Sequence, residues 1–329
     1  MISAKTLRPF LAAGLLILAF PPSRGFGQAP PPQVQSFITQ ATTDFQSLSD
    51  YVNGTFSRSM GFYSTLGWNN PPQVFDLLGG PHFEIGFGAG ADVIGLPNLG
   101  SVSLGALLLQ SGINIPAVIP VPFPFATARV GLLNGLDAGV RVTYLPNVTI
   151  PEIGFAANFT GWGLDLRYKI LDGAMLPTVT VGVSYDTLQG GFSVKTDMKQ
   201  STTYDYSGTG YNLDLTGTSV YAMSWNVRSF GAKLLVGKSL GMIFPFAAVG
   251  FQRNAGDISS NITATGTVTE TSTSSSYPIS ATVNSDAGPV IFEPKYVFGF
   301  DLGEGLHWAV VGESNGTDIA GSTSFRVQF

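Results

Sequence analysis

The sequence predicts an all-β transmembrane antiparallel barrel of about ten strands, with twelve or fourteen as alternatives, and a short N-terminal α-helical plug or cap. Three observations carry this. Hydrophobic residues make up 44% and charged residues only 11%, with a mean hydropathy of +0.25, yet beyond the first thirty or so residues no apolar run is long enough to span a bilayer as a helix. From about residue 81 apolar side chains alternate with polar or glycine ones. The chain closes on an alternating strand, Ser324-Phe325-Arg326-Val327-Gln328-Phe329. A hydrophobic chain without spanning helices satisfies its backbone in lipid only by closing a sheet on itself.

The first residues read as an export signal. Lys5 and Arg8 precede an apolar run, Phe10 to Phe20, and small residues at Gly25 and Gly27 place cleavage after Gly27. The expected organisation is a signal peptide over 1–27, a tether and helical segment over 28–80, and the barrel over 81–329. Losing 1–27 leaves thirteen basic against twenty-one acidic residues, net −8, which argues against nucleic acid as a partner. With no cysteine there is neither a disulfide nor a lipoprotein anchor. No cofactor or metal site is implied: the two histidines, His82 and His307, are far apart, and the acids are scattered.

Gln28 to Pro32 is a Pro-rich tether. Val34, Phe37, Ile38, Ala41, Phe45, Leu48 and Val52 recur at spacings of three and four and form the apolar face of an amphipathic helix. Asn53-Gly54 should end it. A second small element follows over 56–68, and Asn69-Asn70-Pro71-Pro72 reads as a turn. This segment either caps the periplasmic end of the barrel or plugs its lumen.

From His82 the period is two. Phe83, Ile85 and Phe87 share a lipid face opposite Glu84, Gly86 and Gly88, and the same split recurs near 136–144, 162–170, 179–186, 295–302 and 306–311. Ten spanning strands follow, with short turns on one side and long connections at 94–123, 146–154, 188–217, 255–288 and 315–318 on the other. Leu133-Asn134-Gly135-Leu136 is the clearest hairpin. The 255–288 stretch is Ser/Thr-rich and reads as a solvated outer hairpin or loop. The 94–123 stretch is apolar and should fold into the mouth or contact lipid or lipopolysaccharide.

Eleven charged residues are expected to face the lumen: Glu84, Asp92, Arg141, Asp165, Arg167, Lys169, Asp186, Arg228, Lys295, Asp301 and Arg326. Buried charge must pair or meet water, so these form either a structural ion-pair network or a polar conduit. Tyr144, Trp162, Tyr168, Tyr185, Tyr221, Trp225, Trp308 and Phe329 suit interfacial girdles. Gly312-Glu313-Ser314-Asn315-Gly316 spells G-x-S-x-G but lacks the strand–turn–helix setting of a nucleophile elbow. Gly86 to Ala91 lies within a strand and is not a dinucleotide loop.

Met60-Gly61-Phe62-Tyr63 to Pro71-Pro72, the hairpin Arg129 to Asp137 and the final Phe329 resemble an uncharacterised family of bacterial outer-membrane barrels with an N-terminal helical segment. More distantly, Asn70-Pro71 after a helix is similar to long-chain fatty acid transporters of the outer membrane. The resemblance implies an outer-membrane location, contact with membrane lipid and lipopolysaccharide, and reading of Phe329 by the barrel-assembly machinery. The expected function is passive transport of small hydrophobic solutes with the helix as plug, not enzymatic. The alternatives are a non-conducting structural or surface-interaction barrel and, behind it, a membrane lipid hydrolase using His82 or His307.

Overall fold

Alternation of side chains across the strands dictates the architecture. In the computed structural model, which describes residues 29–67, 82–95, 118–132, 135–172, 176–303 and 305–329, one helix precedes eleven strands. The helix is α1 (Pro32–Ser64). The strands are β1 (His82–Gly95), β2 (Val118–Gly131), β3 (Leu136–Ile150), β4 (Phe155–Leu171), β5 (Thr178–Tyr206), β6 (Thr209–Gly237), β7 (Ile243–Glu270), β8 (Ser275–Ala287), β9 (Phe292–Leu302), β10 (Leu306–Ser314) and β11 (Ile319–Gln328). The expected signal peptide, the expected Asn-Pro turn and most of the 94–123 connection lie outside the described residues.

Ten strands close a ring. All neighbours pair antiparallel, and β1 meets β11 from Glu84↔Gln328 to Val93↔Ile319. The backbone of Phe329 exchanges both hydrogen bonds with Phe83, so the last residue completes the seam. The lower part of β7 pairs with β9 and its upper part with β8, which therefore stands above the ring. Outward residues such as Phe83, Ile85, Phe87, Leu164, Val249, Phe298 and Phe325 are exposed in an apolar belt, with Tyr144, Trp162, Tyr168, Tyr185 and Trp308 among them. Such a belt has nowhere to lie but in lipid.

Two long connections prove to be strand. β5 and β6 continue to a two-residue turn at Ser207-Gly208, where both residues have positive φ. β7 and β8 make a second hairpin. Threonine and serine alternate along these segments, and β-branched threonine suits a strand. Apart from Gly256 and Gly266, every second residue of β7 here, including Ile258, Ile262, Ala264 and Val268, is buried, so the 255–288 segment is an outer wall with an apolar inner face.

That wall houses the helix. Val34, Phe37 and Ile38 pack with Leu213, Leu215 and Val268 near the hairpin tips. Lower down, Ser49 meets Ser260 and Asn53 donates to the Ser285 carbonyl at 2.9 Å. At its end Ser64 meets Ser229. Thirty helical residues rise ~45 Å, and the fourteen β7 residues from Val268 to Asn254 rise ~46 Å, so α1 runs alongside β7 from outer tip to mouth. The helix thus enters from the side of the long hairpins and does not cap the periplasmic end.

Asn53-Gly54 does not end the helix, because Asn53 spends its side chain on the wall and the neighbouring contacts outweigh the ~1 kcal/mol cost of a helical glycine. The predicted second element is the last part of α1. Of the predicted apolar face, Val34, Phe37 and Ile38 are buried, whereas Ala41, Phe45, Leu48 and Val52 are half-buried. Thr42, Ser49, Asn53, Ser57 and Ser59 are buried instead, since this part of the helix docks through small polar side chains.

Candidate functional site: the helix latch at the barrel mouth

A helix ends with carbonyls that lack intrahelical partners and carry the negative end of its dipole. The last turn of α1 contains no basic residue. The barrel wall supplies the cations. Arg141 on β3 donates to the Ser64 carbonyl. Lys295 on β9 donates to the Thr65 carbonyl at 2.7 Å and to Thr65 Oγ1 at 3.0 Å. Each cation also has a carboxylate on the wall: Arg141 pairs with Asp186 at 2.8 Å, and Lys295 with Glu313 at 2.8 Å. Glu313 in turn accepts from the Gly67 amide at 3.0 Å.

A ring of neutral and acidic groups completes the latch. Ser64 Oγ lies 2.7 Å from Ser229 Oγ, which donates to Asn254 Oδ1 at 2.6 Å. Asn254 and Gln252 both donate to Glu293 Oε2 at 2.8 Å, and Thr65 donates to Gln252 Oε1 at 2.6 Å. Gly61 lets the helix approach this wall: a Cβ there would sit 2.1 Å from Asn254 Nδ2. Around the latch Phe56, Phe62, Tyr63 and Leu66 pack with Phe123, Phe125, Phe159 and Trp225. Phe123 in turn needs Gly90, whose Cβ would stand 2.3 Å from its ring. The Tyr63 hydroxyl donates to the Pro122 carbonyl at 2.6 Å.

Towards the short-turn end the ring is filled by charge. Arg129 pairs with Asp137 and, at 2.8 Å, with Asp165. Arg167 donates to both oxygens of Asp137 at 2.8 Å, and Lys233 stands 3.8 Å from Asp165. Arg326 pairs with Glu84 at 2.8 Å and Asp301 at 2.7 Å, and Asp301 also faces His307 Nδ1 at 3.3 Å.

Of the eleven predicted lumen charges, Glu84, Asp165, Arg167, Asp301 and Arg326 fall in this lower cluster and Arg141, Asp186 and Lys295 in the latch. Asp92 is fully buried on the inner face. Lys169 sits at the rim, paired with Asp172 at 2.7 Å. Arg228 is a correction: it is exposed on the outer face, because β6 turns Trp225, Val227 and Ser229 inward and 228 falls between them. For the same reason Trp225 is a core residue and not a girdle residue. Tyr221 also points inward, and burial pushes its phenol up.

Sequence reasoning missed Arg129, Lys233, Gln252, Asn254, Glu293 and Glu313. Counting out from the Asn134-Gly135 turn would have put Arg129 on the same face as Asp137. Glu313 was hidden inside the G-x-S-x-G pentad. Ser314 there donates to the Asp318 carbonyl at 2.8 Å and accepts from Gly316 at 3.0 Å, as a loop residue. His307 lies seven residues down the same strand, ~23 Å away. His82 opens β1, with its side chain outside the described residues.

The closed ring and its apolar belt make this chain an outer-membrane β-barrel. No curated protein matches the sequence. Solved structures of similar build include LpxR from Salmonella typhimurium (10% identity, TM-score 0.28, covering 74% of this chain and 99% of that one). They also include the Ralstonia pickettii toluene transporter TbuX (8%, 0.23, 79% and 91%) and the beta domain of the Bordetella autotransporter BrkA (10%, 0.28, 76% and 100%). At such scores none of them carries a functional argument. The expectation of a non-enzyme is corrected: LpxR, an outer-membrane lipid A deacylase, stands among these barrels beside the channels, so the likeness gives that expectation no support. Residues 93–311 match the model of a family of unknown function, DUF6588, and the chain belongs to that family.

Proposed function

We propose that the protein is a gated barrel for small hydrophobic solutes, shut at its outer mouth by the latched end of α1. One observation carries this reading: each latch cation keeps a wall carboxylate of its own, Asp186 for Arg141 and Glu313 for Lys295. Withdrawal of the helix end therefore leaves no unpaired buried charge, the costliest consequence of breaking such a site. The groups released on the helix side are backbone carbonyls and hydroxyls, which water can satisfy. The ring of Phe123, Phe125, Phe159 and Trp225 around the mouth suits an apolar solute.

A second reading, a non-conducting barrel that presents its outer hairpins, is favoured by the lower cluster of Arg129, Asp137, Asp165 and Arg167, which also fills the ring. A cross-link separates the two. The chain has no cysteine, so Ser64→Cys with Ser229→Cys creates a single reducible pair where the native oxygens lie 2.7 Å apart. Reduced protein should take up labelled toluene into proteoliposomes, and oxidised protein should not. Uptake by neither form sinks the transport reading in favour of the second. Equal uptake by both shows that the helix end is not the gate.

A further inference from the structure

The outward face of β6 and β7 changes character at one level. On β6 the outward positions Phe230, Ala232, Leu234 and Val236 lead down to Lys238 at the inner turn, and Arg228 stands directly above them. On β7 the outward positions Ile243, Pro245, Ala247, Val249 and Phe251 end at Arg253. From Arg228 to Lys238 is ten residues, ~33 Å along the strand and ~25 Å along the barrel axis at a tilt of about 40°. That equals the height of the apolar band of an outer-membrane barrel, so Arg228 and Arg253 stand where hydrocarbon gives way to headgroups on the outer side.

The two arginines are diagonal neighbours, since Phe230 pairs with Arg253 and Arg228 with Ala255. Their Cα atoms are ~7–8 Å apart, close enough for both guanidinium groups to reach one anion. Both are exposed, and among the described residues neither has an ion pair or side-chain hydrogen bond. Asp257 is the other diagonal neighbour of Arg228, one pair further out on β7, and among the described residues it forms no ion pair with either arginine. Most other cations inside the ring are committed to carboxylates; this outward pair is not.

Immediately below lies a shallow apolar groove of about 660 Å³. Ala232, Gly182 and Gly250 line it with Tyr168 and Tyr296, and the charged Arg167 and Lys233 also border it. The small side chain of Ala232, between Val183 on β5 and Phe251 on β7, makes the depression. From β4 to β9 it crosses four strand spacings, ~19 Å, a width suited to several acyl chains side by side.

We propose that this face is a binding site for a phosphorylated, multi-acyl glycolipid of the outer leaflet, the lipid A moiety of lipopolysaccharide, with one phosphate held between Arg228 and Arg253 and acyl chains lying in the Ala232 groove. The charge complementarity is local, because the chain as a whole is acidic. Arginine suits the role, since its planar fork engages phosphate bidentately.

The test uses the full mature chain refolded in detergent micelles, with binding of purified diphosphoryl lipid A, dephosphorylated lipid A and phosphatidylglycerol followed by native mass spectrometry. Lipid A should bind at least tenfold more tightly than either of the others. Arg228→Gln with Arg253→Gln should weaken lipid A at least tenfold and leave dephosphorylated lipid A unchanged. Ala232→Trp, which fills the groove, should weaken both lipid A forms. All three substitutions point outward, and a heat-modifiable gel shift verifies that each variant is folded. Binding of lipid A by the double glutamine variant within twofold of wild type overturns the proposal. Equal affinity for phosphatidylglycerol overturns the choice of lipid.

Discussion

The latch invites a perturbation that weakens it without stranding a charge. Lys295→Met alone would leave Glu313 buried and unpaired, and would confound helix release with damage to the barrel. Lys295→Met together with Glu313→Gln removes both charges, and glutamine at 313 keeps an acceptor for the Gly67 amide. The double variant loses the two donations from Lys295 to Thr65 and the cation facing the helix C-terminus. Both donations go from one ammonium to one residue, so they count together as a single hydrogen bond from a charged group, about 1.5–3 kcal/mol, and the dipole term adds about 0.3–1 kcal/mol. A net loss of about 2–3 kcal/mol in helix docking corresponds to roughly a 30- to 150-fold rise in the undocked population. Trypsin reads that population directly, because Arg58 is the one basic residue in α1 and cleavage there requires the helix to open. When opening and reclosing are fast, cleavage tracks the open fraction. The folded double variant should lose the segment before Ser59 some 30- to 150-fold faster than wild type. A rate within threefold of wild type, in a barrel that still shows heat-modifiable migration, refutes the assignment of Lys295 and Glu313 as a latch.

Two further outcomes follow from the same geometry. Gly61→Leu should displace the end of α1, since even its Cβ would overlap Asn254; trypsin should then cut at Arg58 faster than in Gly54→Leu, where the added atom meets nothing, and equal rates would mean the close approach is unimportant. Arg167→Met breaks a buried pair with Asp137 and should lower barrel stability by about 3–5 kcal/mol. Arg228→Gln, on the outer face, should change it by no more than about 0.5 kcal/mol; similar urea midpoints for the two variants would contradict the inward and outward placements.

The barrel was legible because lipid enforces strict alternation. Wherever one face meets hydrocarbon, as at Phe83 to Phe87 or Trp162 to Tyr168, the period of two is unambiguous. Above the membrane that constraint lapses. β5 to β8 continue as strand with Ser and Thr on their outer face, and composition alone could not tell them from loops. Arg228 was misplaced by the same lapse, because an arginine at the edge of the lipid belt looks like one inside the ring. The helix was visible, but its length was not: Asn53-Gly54 is a sound stop signal locally, and only the wall of β7 and β8 overrides it. The latch was the least legible part. Its residues come from β3, β5, β6, β7, β9 and β10, and nothing in the sequence brings Arg141 and Lys295 to the end of a helix more than seventy residues earlier.

The direction of α1 constrains how this protein is made. Its first turn lies at the outer hairpin tips and its last at the mouth, whereas β1 begins at the opposite rim, where Phe329 seals it. The helix and the start of the first strand thus stand at opposite ends of a ring whose two edges are the chain's own first and last strands. A ring filled by the Arg129 and Arg326 clusters leaves no way to feed a helix through afterwards. The helix therefore has to reach the outer side before the seam between β1 and β11 shuts, which ties its docking to the order of barrel closure.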